Sequence, residues 1–205
     1  MNWEWYRRKI SKESINSLPL RHYEGDIRLV RSAEDQAAAL DVLRHERLVG
    51  FDTETRPTFR KGKVNPPSLI QLAAADVVFL VQLTWLPLNA DMAAFLADPA
   101  ILKAGVSIHD DMRELAKLHP FTPAGAVDLG NISHALQLET HGLRNLAANF
   151  FDWRISKGPQ CSNWSHHELT RQQILYAATD AWIGRMVFLK MQELGMIDAN
   201  GGVAA

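Results

Sequence analysis

The chain has 205 residues, 47% of them hydrophobic and 22% charged, enough for one globular domain with a full core. Its 22 basic and 23 acidic side chains leave a formal net charge of −1, so no global field draws it to nucleic acid or an anionic membrane, and a polyanion has to be held by a local basic patch. The lone Cys161 excludes an intrachain disulfide and suits a reducing compartment, and nothing around it resembles a cysteine-enzyme signature, which makes it a structural or surface thiol.

In chain order, residues 1 to about 25 read as an arm preceding the domain. Its Trp3, Trp5 and Tyr6 are expected to pack on the domain surface rather than stack on bases. The arm is also the candidate contact for a protein partner or a second copy. It starts with charges and lacks an apolar h-region, so it is no secretory signal. No stretch has the apolar length of a membrane span, and a cytoplasmic location is the default expectation. Ile27 to Val30 is a short strand, and Ser32 caps an Ala- and Leu-rich helix running to about Arg44. Leu48 to Thr53 is a buried strand, followed by a basic loop, 56–63, that ends at Pro66 and Pro67.

Ser68 to Ala74 and Val77 to Leu83 form a predicted hairpin turning at Asp76. A helix over Leu88 to Leu96, a buried strand over Ile101 to Ile108, and a helix from Asp110 to Leu118 stopped by Pro120 come next. Val127 to Phe150 reads as two helices broken around Thr140-His-Gly142, and a polar loop spans Ser156 to Trp164. A long helix then runs from about His166 to Leu194, with Ser165 and Glu168 in the spacing of a capping box. Strands first and alternating elements after predict one α/β domain over 26–197, helices covering a mixed sheet, and a flexible tail over 198–205.

Three acidic sites stand out against this frame. Asp52 and Glu54 lie two apart at a strand end, so both carboxylates aim at one point beside the core. Buried like charges are costly unless a cation sits between them, and oxygen ligands suit a hard divalent metal. The nearby Arg56, Arg60, Lys61 and Lys63 fit either a solvated loop or a rim gripping phosphates. Asp111, Leu115 and Leu118 share an inward helical stripe, which favours Asp111 for a site and Asp110 for a cap. Tyr176 and Asp180 stack one turn apart on a face continued by Gly184, Val187, Phe188 and Met191, where an aspartate has to be paired, protonated or metal-bound. His166 and His167 diverge on a helix and read as exposed first-turn residues; His109 fits a site lining or a plain loop role equally.

Gly50-Phe-Asp-Thr-Glu54, Ser68-Leu-Ile-Gln-Leu72, Lys103 through Asp111, and Gln173 through Asp180-Ala181 together resemble the DEDD superfamily of 3′–5′ exonucleases. The Tyr-x-x-x-Asp spacing marks its tyrosine branch, DEDDy, the group of RNase D and the Werner syndrome helicase exonuclease domain. Lys157 and Ser162-Asn-Trp164 fit the same group. The resemblance implies a ribonuclease H-like fold, catalytic Asp52, Glu54, Asp111, Tyr176 and Asp180, and two Mg2+ or Mn2+ ions held by the four carboxylates. It implies release of nucleoside 5′-monophosphates from a DNA or RNA 3′ end, with Thr53, Arg56, His109 and Lys157 as candidate substrate contacts. Thr55 departs from an aromatic common in relatives, and the double aspartate leaves the third carboxylate open to a one-residue slip. Two other readings compete: a haloacid-dehalogenase-like phosphatase, suggested by Asp52-Thr-Glu-Thr55 but leaving Tyr176 and Asp180 idle, and a catalytically weak or inactive binding module on the same fold.

Overall fold

The computed structural model describes residues 3–58 and 65–204. Within the arm, a 3-10 turn at Glu4–Arg7 precedes α1 (Lys12–Ser17), whose Ser11 side chain accepts from the Ser14 N–H. β1 (Asp26–Val30) leads to α2 (Ala33–Leu43), started by a capping box between Ser32 and Asp35. Then come β2 (Leu48–Thr55), β3 (Pro67–Ala73), β4 (Val77–Gln82) and α3 (Ala90–Leu96), which Asn89 caps. β5 (Leu102–Gly105), α4 (Ile108–Leu118), β6 (Ala126–Asp128), α5 (Leu129–Ala135) and α6 (Leu143–Phe151) follow. The last helix is the long α7 (Arg171–Glu193).

The strands form a mixed sheet in the order β1-β4-β3-β2-β5-β6. β2 and β3 and then β3 and β4 pair antiparallel, while β1–β4, β2–β5 and β5–β6 are parallel. The period-two alternation of each strand divides the core between two faces. On one face Val49, Phe51, Ile70 and Leu72 bury against Leu40 of α2, Phe95 of α3 and Met112 of α4. On the other, Leu69, Val78 and Leu80 meet Ala177, Ala178 and Ala181 of α7, which continues past Ala104 to pack on α5 and α6 through Ile183 and Val187. Helices on both faces of a mixed sheet make the α/β layering expected from the sequence.

Several boundaries differ from the sequence reading, each for a local reason. β5 stops at Gly105 and α4 begins at Ile108, because Ser107 turns the chain with φ 60. Asp110 therefore sits inside the first turn and is not the cap. The short strand β6 was hidden in what reads as helix; Asp128 ends it and caps α5 through the Gly130 and Asn131 N–H groups. α7 starts at Arg171 under a Thr170–Gln173 capping box, and Ser165 bonds Asn163 instead of capping a helix. Buried Trp164 and Leu169 pin the intervening residues in an irregular path. Pro67, read as a breaker, opens β3.

The arm lies along the domain. Tyr6 stacks on Phe150 at 5.0 Å, the Asn149 amide donates to the Tyr6 carbonyl, and Tyr23 is buried with its N–H on Thr179 Oγ1. The C-terminal residues, read as a frayed tail, turn back through an Ile197–Val203 bridge and two N–H bonds to Asp198. Among the described residues, no helix is long and apolar enough to cross a membrane.

Candidate active site

β2 sets Asp52 opposite Gln71 and Glu54 opposite Leu69, so both carboxylates leave the sheet on the face that α7 covers. α7 comes close because its contact surface is small. A methyl group at Gly50 would overlap the Ala181 carbonyl oxygen, and one at Gly184 would lie 2.8 Å from the Ala104 carbonyl oxygen. This approach carries Asp180 to the end of β2. Carboxylate oxygens of Asp52, Glu54 and Asp180 fall within 4.8 Å of one another.

Asp111 arrives from the opposite layer, on the first turn of α4. Thr53 alternates to that side and donates its hydroxyl to Asp111 Oδ1 at 2.8 Å, while its N–H donates to Asp52 Oδ1 at 2.9 Å. Thr53 thus ties the two halves of the acidic site together. Asp110 is exposed and bound to Arg113 at 2.8 Å. Tyr176 is buried one turn before Asp180, with its hydroxyl beside that carboxylate.

Burial raises every member, and at Asp52 and Glu54 the neighbouring carboxylates add to it. Burial first, then Asp180 and Asp111, lifts Asp52 well above the usual carboxylate range. Burial and then Asp52 push Glu54 up to about 10. Burial takes Asp180 to about 7 against the Tyr176 hydrogen bond, and Asp111 to about 6 against the Thr53 bond. Burial, followed by the Asp180 charge, raises the Tyr176 phenol as well. Among the described residues, none of the influences on Asp52 and Glu54 comes from a basic group. Hard oxygen donors with no cation between them among the described residues could hold a divalent metal: Asp52, Glu54 and Asp180 form the compact group and Asp111 stands beside it.

The cluster opens into a groove of about 350 Å3. Of the candidate substrate contacts, Thr53 and Lys157 line it, Lys157 from the mouth of the α6–α7 loop. Arg56 is exposed and lies outside the groove lining, and so is His109 on the first turn of α4. Arg60, Lys61 and Lys63 of the basic loop lie outside the described residues. Sequence reasoning missed Arg144 and Asn145, which also line the groove; they follow the helix break at Gly142, and that break was the only signal available. Cys161 is exposed and free.

A sequence profile described as 3′–5′ exonuclease matches residues 27–195. The bifunctional 3′–5′ exonuclease/ATP-dependent helicase WRN of Mus musculus is 31% identical over 156 residues, covering 72% of this chain and 11% of that protein. Human exonuclease 3′–5′ domain-containing protein 2 is 32% identical over 143 residues, 64% of this chain and 23% of its own length. The chain thus spans only a minor part of these relatives. Among solved structures, the Nibbler EXO domain of Aedes aegypti superposes with a TM-score of 0.76 at 24% identity, covering 84% of this chain and 91% of that one. Escherichia coli RNase D superposes with 0.72 at 19% identity, covering 85% and 48%. The mixed sheet with flanking helices is therefore the ribonuclease H-like fold of RNase D.

Proposed function

The chain belongs to the DEDDy-type 3′–5′ exonuclease family, and from that premise we propose that it hydrolyses the terminal phosphodiester bond of a DNA or RNA strand and releases nucleoside 5′-monophosphates. The observation that carries this reading is the convergence of Asp52, Glu54 and Asp180 within 4.8 Å, beside the Tyr176 hydroxyl and at the floor of an open groove. Asp52, Glu54 and Asp180 would hold divalent cations, Mg2+ or Mn2+ and two in number, with Asp111 serving the second directly or through water. When bound, such ions neutralise charge on the reacting phosphate and make a bound water more acidic.

The side chains do the rest. Lys157 and Arg144 hold strand phosphates along the groove, positioning the backbone without reading bases. Thr53 fixes the Asp111 carboxylate, and the chain around it faces the terminal sugar. Tyr176 orients the attacking water; burial keeps its phenol protonated, so it acts as a hydrogen-bonding guide and not as a base. Water attacks the phosphorus, the bond to the 3′-oxygen breaks, and the shortened strand keeps a 3′-hydroxyl. Residues 26–197 would be the catalytic unit, and an exposed free Cys161 suits a reducing, cytoplasmic setting.

Asp52→Ala and Asp180→Ala are each expected to fold and to lose at least about a hundredfold in kcat on a 3′-labelled oligonucleotide with Mg2+. Tyr176→Phe should lose rate while keeping nucleic-acid binding. Near-wild-type hydrolysis by both alanine variants would overturn the assignment, and binding without hydrolysis by the unmodified chain would favour an inactive module.

A further inference from the structure

We propose that the N-terminal arm forms part of the nucleic-acid track: Arg21 and His22 grip the retained strand of a single-stranded substrate next to the scissile phosphate, between two cavities that take its bases one at a time. This rests on the exonuclease reading of the same site. The arm lies outside residues 27–195, the part matched to the family.

Tyr176 and Asp180 have a cavity on each side. The groove that holds Asp52 and Glu54 is one; a second, of about 340 Å3, shares Ser156, Tyr176 and Asp180 with it and is walled by Leu20, Pro159 and Leu175. A phosphate at the carboxylate cluster therefore has room for one nucleoside in each direction. The terminal nucleoside belongs on the Thr53 side, which leaves the second cavity to the nucleoside that stays on the strand. Leu20 is 52% exposed, an apolar surface that a base would cover.

Arg21 and His22 also line a third cavity of about 340 Å3, floored by Trp153 and Trp182. Those two indoles stack at 5.6 Å, and both are only half-buried. Aromatic surfaces flanked by cations are the usual platform for single strands, since every base has a stacking face and every linkage a charge. Both arm residues are exposed, and no ion pair or side-chain hydrogen bond of the described residues engages either of them. The backbone beside them is fixed. Arg21 N–H donates to the Arg154 carbonyl at 2.8 Å, Arg154 N–H to the Pro19 carbonyl at 2.9 Å, and Tyr23 N–H to Thr179 at 3.0 Å. A free guanidinium and a free imidazole on a pinned segment are placed to bind something anionic.

The test compares the whole chain with Arg21→Ala/His22→Ala on two substrates. An oligothymidylate of about ten nucleotides reaches all three cavities, whereas p-nitrophenyl thymidine 5′-monophosphate carries the terminal nucleotide alone. The ratio of kcat/KM for the oligonucleotide to that for the nitrophenyl ester is expected to fall about fivefold, through KM, the effect of one or two charge-assisted phosphate contacts. Binding of the fluorescent oligonucleotide with divalent ions chelated should weaken, and the slope of log affinity against log salt should shrink by about 1. Arg21→Lys should restore that slope, which a merely structural role would not do. An unchanged ratio together with an unchanged salt slope would overturn the proposal. If the unmodified chain hydrolyses neither substrate, the exonuclease reading fails by itself, and the salt slope still decides the arm.

Discussion

Glu54, Asp180 and Asp111 hold protons at pH values where an exposed carboxyl group has lost them, with values pushed to about 10, 7 and 6. In the unfolded chain the same groups titrate near 4. Between those limits the folded state binds more protons than the unfolded one, so stability falls as pH rises. The favourable contribution is complete below about pH 4 and is lost as pH climbs through 6 and 7 towards 10. Asp111 alone, moved from 3.8 to about 6, accounts for about 3 kcal/mol over that climb. Metal-stripped protein is therefore expected to melt several degrees lower at pH 8 than at pH 5. Asp180→Asn should flatten the fall by removing one of the like charges, and Mn2+ at pH 8 should raise the melting temperature of the unmodified chain far more than that of the variant. A melting temperature that rises with pH in the stripped protein would contradict the crowding of charge inferred for this pocket.

At the level of elements, the site exists because α7 can lie almost on the backbone of β2 and β5. Gly50→Ala places a methyl against the Ala181 carbonyl and has no side-chain rotation to relieve it. The expected cost is about 3 kcal/mol, and because Asp180 moves with its helix, kcat should fall even where the protein remains folded. Gly142→Ala, whose methyl meets nothing within 4 Å, supplies the stability control by thermal melting. Equal melting temperatures for the two variants would show that α7 has slack. This packing was partly legible: the stripe from Tyr176 to Met191 predicts a buried helix face, and the apolar run before Asp52 predicts the strand beneath it. The start of α7 was not legible, since Ser165–Glu168 and Thr170–Gln173 both carry capping spacing and burial of Trp164 and Leu169 chooses between them. The start of α4 was hidden by a left-handed serine, and β6 by being three residues long. Lys103 is a sharper case: a lysine with no exposed surface in mid-strand, its ammonium donating to the Asp98 carbonyl at 2.7 Å near the end of α3 and lowered to about 8 by burial. Nothing in its neighbours in sequence announces that destination.

Across the whole molecule, the acidic residues could be read from spacing because each sits on a regular element, whereas the cations that would meet substrate are brought together by tertiary structure. Arg144 follows a helix break and Arg21 belongs to an arm, so neither has a periodic signal. With a net charge of −1, attraction of a polyanion has to come from such local groups. Arg21, Arg144 and Lys157 each facing one phosphate would give a slope of log affinity against log salt of about −2 for a single strand, at roughly 0.7 per contact. Arg56, Arg60, Lys61 and Lys63 more than double the available charge if the basic loop also grips the backbone, bringing the slope to about −5. The larger value is expected, because the loop follows in sequence directly after Thr55, the last residue of the strand that carries Asp52 and Glu54. Replacing Arg60, Lys61 and Lys63 with serine should then reduce the slope by about 2, measured by anisotropy with divalent ions chelated. A slope near −2 that the serine substitutions leave unmoved would assign substrate capture to the groove and the arm alone.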